Sequence, residues 1–225
     1  MSWKRQNRLR SLIWYVLLSL GALMTVIPFI YMISTALKGQ VYVFEIPPRL
    51  IPAEPTLQNF SDAWNSNQFG RYFLNSVLVT AVSVLLVLWL ASMMAYALAR
   101  FNFFGKQVAY RLVIFFMTMP AMSLLVPQFV LARKLVLVDQ LGGLVALNVA
   151  QNIPLAVFLL TGFLNDVPRE IEEAARIDGA SPWSIYWQII LPLCKPALGV
   201  VGVFAFTMMS MSVSALVVVA QMGTT

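Results

Sequence analysis

Five long apolar runs constrain this chain more than any other feature: residues 11–37, 72–99, 112–132, 141–163 and 193–220. Each is about 20 residues or more, long enough as a helix to cross a bilayer core of about 30 Å. None carries a charge in its interior; Lys195 sits at the rim of the fifth. Buried helices of soluble proteins are usually shorter and amphipathic, so these runs read as membrane spans. Composition agrees. Only 11% of the residues are charged and 60% are hydrophobic, against about 25% charged in soluble domains. Such a chain cannot cover its surface with polar groups, so most of its solvent must be lipid. The expected fold is all-α: a polytopic membrane helix bundle of five spans.

The first run follows Lys4, Arg5, Arg8 and Arg10, which form a basic front like that of a signal peptide. It is too long for the 7–15-residue apolar region of such a peptide, and no small-x-small cleavage site follows, so it reads as a retained span. With residues 1–10 placed in the cytoplasm and the spans alternating, ten of the 15 basic residues fall inside: Lys4, Arg5, Arg8, Arg10, Arg100, Lys106, Arg111, Arg169, Arg176 and Lys195. The other five, Lys38, Arg49, Arg71, Arg133 and Lys134, fall outside. This bias fits the positive-inside rule. The net charge of +6 then needs no nucleic-acid partner, because an anionic cytoplasmic leaflet accounts for it.

Several chemistries are excluded. A single cysteine, Cys194, allows no disulfide within the chain, and there is no histidine for metal ligation or proton transfer. No cofactor or metal is expected. No GxxxxGK[ST] phosphate loop occurs, so ATP cannot be hydrolysed by that route. A proton-coupled transporter would need titratable groups inside the spans, and an enzyme would need a nucleophile–base pair or a metal set. Neither is found.

The connecting segments differ in character. The outer loop, 38–70, holds Pro47-Pro48, Pro52, Pro55 and Asn59. Proline at that density resists regular structure and predicts an ordered, extended surface loop. Short turns follow at 100–106, containing Gly105, and at 134–140. The inner segment 165–192 is longer and carries "EEAARIDGASPWSIYWQIILP". Asn165 or Asp166 can cap a helix with Pro168 in its first turn. Glu170, Glu172 and Glu173 suit its positive end. The helix should end near Asp178, with Gly179 as the left-handed residue that closes it. Ser181 then caps a second helix with Pro182 at its start, and Pro192 and Pro196 mark re-entry to the membrane. Ala174 and Ala175 would let another surface approach the backbone closely, and Glu173 could pair with a partner's cation. Taken alone, these residues fit a solvated connecting loop equally well.

Glu173-Ala174-Ala175, three residues, Gly179, nine residues, Ile189, one residue and Leu191-Pro192 resemble the EAA signature of membrane subunits of binding-protein-dependent ABC importers. "EEAARIDGAS", "IPPRLIPAEPTLQNF", "RYFLNS" and "AYALARFNFFGK" are similar to the carbohydrate-uptake branch, and in particular to the second permease of maltose-type systems. The likeness runs from about residue 12 to about residue 206. It implies a type I importer permease in a bacterial or archaeal cell membrane. The implied partners are a second permease subunit, two ATPase subunits and an extracytoplasmic solute-binding protein that delivers a sugar. It also implies that segment 165–192 is a cytoplasmic coupling loop, which makes Glu173, Ala174, Ala175, Asp178, Gly179, Leu191 and Pro192 the ATPase-coupling residues. An importer of a polyamine, peptide or amino acid is the alternative cargo reading.

Polar side chains within the spans are the candidates for sugar contact: Asn75, and Asn148, Gln151 and Asn152, whose i, i+3, i+4 spacing puts them on one helix face. Amides also tie helices together in membranes, so both roles stay open. Pro120, Pro127 and Pro154 could bend spans around a pathway. Family members usually have six spans, with aromatic and acidic residues in the fifth. Residues 207–225 read "TMMSMSVSALVVVAQMGTT" and show neither. The expectation is therefore a truncated, frame-shifted or diverged copy without a sixth span, with a helix lost from the pathway wall.

Overall fold

The computed structural model describes residues 2–39, 50–52, 54–65 and 69–222; the side chains of 2–9, 12, 121, 122 and 211–222 are left aside. The Pro47-Pro48 pair, Arg49 and residues 223–225 lie outside the described residues. Every named element is helical. The chain forms two units, residues 1–71 and 72–225.

The first unit holds α1 (Ser2–Ala36) and α2 (Gln58–Asn65). Apolar side chains from Ile13 to Ile33 are exposed along α1, as a helix solvated by lipid requires. The carbonyls at the C-terminal end of α1 find partners in the following loop. Asn59 Nδ2 donates to Ala36 O at 3.0 Å and to Lys38 O at 2.6 Å, and Thr56 N–H donates to Leu37 O at 2.9 Å. Lys38 is buried, with its Nζ 5.8 Å from the centre of the Tyr31 ring, which supplies a cation–π contact. These bonds cap the C-terminal end of α1, and Gln58–Asn65 is helical where proline density predicts no regular structure. No proline falls inside that stretch, and Thr56 Oγ1 accepts from the Gln58 N–H at 3.1 Å beside its start.

The second unit contains α3 (Phe69–Arg100, which begins in the first unit), α4 (Lys106–Thr118), α5 (Ala121–Lys134), α6 (Leu141–Asp166), α7 (Glu170–Ile177), α8 (Pro182–Ile185), a π-turn (Tyr186–Ile190), α9 (Leu191–Leu193) and α10 (Lys195–Met222). On α3, Ser83, Val87, Ala91, Ala95 and Ala99 are buried at four-residue spacing. Small side chains in such a seam let helices approach closely where lipid gives no hydrophobic drive to association. The core joins this seam to Val157, Leu160 and Leu164 of α6, to Ile185, Tyr186 and Ile190, and to Val201, Ala205 and Met209 of α10.

Among the described residues, three helices are long and apolar enough to cross a membrane: Ile13–Ala36, Phe69–Arg100 and Leu141–Asp166. Two bent pairs bring the total to five if each counts as one span. The third apolar run is therefore not one straight helix. It breaks at Met119-Pro120, and the helices on either side meet at 111°. Proline pushes the residue before it out of the helical region, and Met119 accordingly has ψ 126°. Pro127 and Pro154 lie inside α5 and α6 without interrupting them.

The turn before α6 holds a close approach. A Cβ placed on Gly143 would collide with the Leu137 carbonyl oxygen. Backbone cannot swing aside as a side chain can, so Gly143→Ala should destabilise the purified chain by about 1–3 kcal/mol. Thermal unfolding in detergent measures this; an unchanged midpoint would contradict the contact.

Candidate functional site

The segment between α6 and α10 is built from local signals. α6 runs through Asn165 to Asp166, so neither residue caps the next helix. Their side chains end a helix already stabilised from the N-terminal side, and Pro168 after Val167 stops it. α7 starts instead after Arg169, with Glu170, Glu172 and Glu173 in its first turn, where acids complement the helix dipole. Its C-terminal end is a Schellman motif: Ala180 N–H donates to Ala175 O and Gly179 N–H to Arg176 O, both at 3.0 Å. Gly179 has φ +84°, a conformation in which a Cβ is strained. Ser181 Oγ then accepts from Ser184 N–H at 3.2 Å and caps α8, with Pro182 in its first turn.

Beyond α8 the helix widens into the π-turn, where Leu191 N–H reaches Tyr186 O. Pro192 follows at once. A proline ring collides with the carbonyl four residues back in a regular α-helix, and a π-turn there gives it room. Pro182–Leu193 and Lys195–Ser210 meet at 72°. Chain direction thus changes twice within this segment, at Gly179 and at Cys194.

The two faces of α7 differ sharply. Glu173, Ala174, Arg176 and Ile177 are exposed, as are Asp178 and Gly179 beyond its end; Ile177 is 86% exposed. Glu172 and Ala175 are buried, Glu172 at 3% exposure. The alanine pair is therefore split: Ala174 is exposed and Ala175 packs in the chain's own core. Leu191 is half-buried and Pro192 exposed.

The buried face of this loop meets one face of α3. Ser92, Tyr96 and Arg100 are spaced four residues apart, so they stack along one side of the helix. Ser92 Oγ and Tyr186 Oη lie 2.7 Å apart. Tyr96 Oη donates to Glu172 Oε2 at 3.3 Å, and its ring lies 5.4 Å from that of Tyr186. Arg100 Nε forms a buried ion pair with Glu172 Oε1, and its second guanidinium arm donates to Val167 O at 2.9 Å. Arg169 returns the contact by donating to Ala99 O at 3.3 Å. Charge-assisted bonds of this kind are the strong ones. The sequence alone showed Arg100 only as one of ten inner basic residues. The available signal was the four-residue spacing that ends at the helix's only basic residue in its last turn.

The four span amides occupy different environments. Asn148 is buried, Asn152 Nδ2 donates to Asn148 O of its own helix at 2.9 Å, and Asn75 is half-buried. Gln151 is exposed and donates to Gln128 Oε1 of α5 at 3.0 Å, which ties α5 to α6. Among the described residues, no group of three or more His, Cys, Asp or Glu side chains could hold a metal ion.

A family model described as "Binding-protein-dependent transport system inner membrane component" matches residues 87–225. A putative ABC transporter permease protein of Caldicellulosiruptor sp. (strain Rt8B.4) is 38% identical over 85% of this chain and 70% of its own length. The diacetylchitobiose uptake system permease protein of Streptomyces coelicolor is 32% identical over 89% of this chain and 66% of its own. For the galactooligosaccharides transport system permease protein of Bacillus subtilis the values are 30%, 91% and 72%. The chain thus spans about two thirds of these relatives' lengths. The crystal structure of a bacterial ABC transporter involved in import of the acidic polysaccharide alginate matches with TM-score 0.76 and 25% identity, over 91% of this chain and 72% of that one. With its apolar helices and its match to the family model over more than half its length, the chain belongs to the family of binding-protein-dependent transport system inner membrane components, as a multi-pass membrane permease.

Proposed function

We propose that this chain is one permease subunit of an ATP-driven, binding-protein-dependent sugar importer, forming half of the pathway and receiving work from a separate ATPase through the α7 elbow. The observation that carries the reading is the exposed surface formed by Glu173, Ala174, Ile177, Asp178 and Gly179 at the end of a short helix whose opposite face is anchored. An exposed apolar tip flanked by acids suits a groove on a soluble partner. The basic-residue bias supports a cytoplasmic N-terminus and a cytoplasmic elbow, on the side of the cell membrane where ATP is. Relatives named for diacetylchitobiose and galactooligosaccharide transport support a sugar as cargo. Asn75, Asn148, Gln151 and Asn152 are the candidate sugar-facing amides.

Co-purification in detergent tests the partnership: an ATPase subunit and a second permease should come with this chain. Glu173→Lys reverses charge on the exposed face and should lower co-purified ATPase at least tenfold, since a misplaced charge at an interface costs several kcal/mol and about 1.4 kcal/mol is already tenfold. Undiminished ATPase and wild-type transport in that variant would sink the assignment. Stimulation of ATP hydrolysis by binding protein loaded with a neutral oligosaccharide, but not with a polyamine, peptide or amino acid, identifies the cargo class.

A further inference from the structure

The face of α3 formed by Ser92, Tyr96 and Arg100 touches the coupling segment at three levels, through Tyr186, Glu172 and the Val167 carbonyl. We infer that this polar rail makes the inner end of α3 and the α7 elbow one mechanical body, with Glu172 and Arg100 as the positioning residues that transmit elbow displacement into the span. This rests on the proposed function and names the component through which it works.

Three observations carry it. The ion pair is nearly dry: the Arg100 and Glu172 side chains are 3% and 4% exposed. Water cannot easily substitute for either partner, so the pair resists being pulled apart. The connection is also reciprocal. Arg100 reaches from α3 to the Val167 carbonyl before α7, and Arg169 reaches from that loop to the Ala99 carbonyl. Tyr96 joins the two ends of the segment, bonding Glu172 ahead of the elbow and packing on Tyr186 beyond it. A load applied at Ile177 therefore meets α3 on both sides of the Gly179 bend. A hinge would require one side to be free. Glu172 and Glu173 thus divide the work: the first holds the elbow to its own bundle, and the second faces outward.

The test uses the assembled transporter in lipid vesicles, carrying Glu172→Gln, Arg100→Gln, or Arg100→Glu together with Glu172→Arg. Two quantities are read: substrate moved per ATP hydrolysed, and the mobility of a spin label at Ile177→Cys. Either single variant should lower transport per ATP about tenfold, a loss of the size expected for site-to-site coupling, and should raise label mobility. The charge exchange should recover part of both. An unchanged transport-to-hydrolysis ratio overturns the inference whatever the label does. A lowered ratio with unchanged mobility overturns it too, because the elbow is then held by something else. Where a single variant does not accumulate, Arg100→Lys keeps the charge but loses the fork to Val167 O, and the same two readings decide. If the wild-type assembly shows no coupled ATPase, the proposed function fails. Label mobility in the purified chain then still decides on the rail.

Discussion

Gly179→Pro is expected to abolish transport while the chain still inserts in the membrane and ATP hydrolysis continues. The native residue has φ +84° and its N–H bonds Arg176 O at 3.0 Å. Proline locks φ near −65° and has no N–H, so the Schellman closure of α7 cannot form. A penalty of about 3 kcal/mol or more reduces the native elbow by about two orders of magnitude. Gly179→Ala retains the donor and should lose less, about 1–2 kcal/mol for a left-handed alanine. Gly179→Asn should stand nearest to wild type, because asparagine tolerates that conformation. Transport assays in vesicles rank the three. Transport by the proline variant at the wild-type rate would remove the elbow from the mechanism.

The second large effect is on stability. Arg100→Ala leaves Glu172 buried with its ion pair gone, and truncating one partner of a buried pair typically costs about 3–5 kcal/mol. The Tyr96 hydroxyl alone, 3.3 Å from Oε2, cannot compensate a full charge. Glu173→Ala, one residue along, should change stability by less than about 0.5 kcal/mol, because that side chain is exposed. Thermal unfolding of the two variants in detergent separates them. Equal midpoints would mean that the adjacent acids do not differ as their burial implies.

That contrast also shows where reading the chain stops short of the fold. Glu172 and Glu173 are the same residue type at neighbouring positions in one first turn. Nothing local assigns one to the core and the other to the surface. The assignment follows from where Arg100 arrives, 72 positions earlier in the chain. Ala174 and Ala175 divide for the same reason. The Met119-Pro120 break was legible as a proline, but the 111° between α4 and α5 depends on what each packs against. In a soluble helix the polar face marks the outside. In these spans both faces are apolar, so hydrophobicity does not tell lipid from core. Burial along Ser83, Val87, Ala91, Ala95 and Ala99 is then visible only through size and packing.

What the linear chain determined by itself were properties set within a few residues or by solvent: the apolar runs without interior charge, the glycine end of α7, the serine cap at Ser181 and the EAA spacing. Backbone sterics and the cost of burying charge in lipid leave few alternatives there. What only the tertiary structure decided was which polar side chains meet. The polar face of α3, the inward Glu172 and the cross-helix Gln128–Gln151 bond each join residues far apart in the chain, and such pairs form only after the helices have chosen their neighbours.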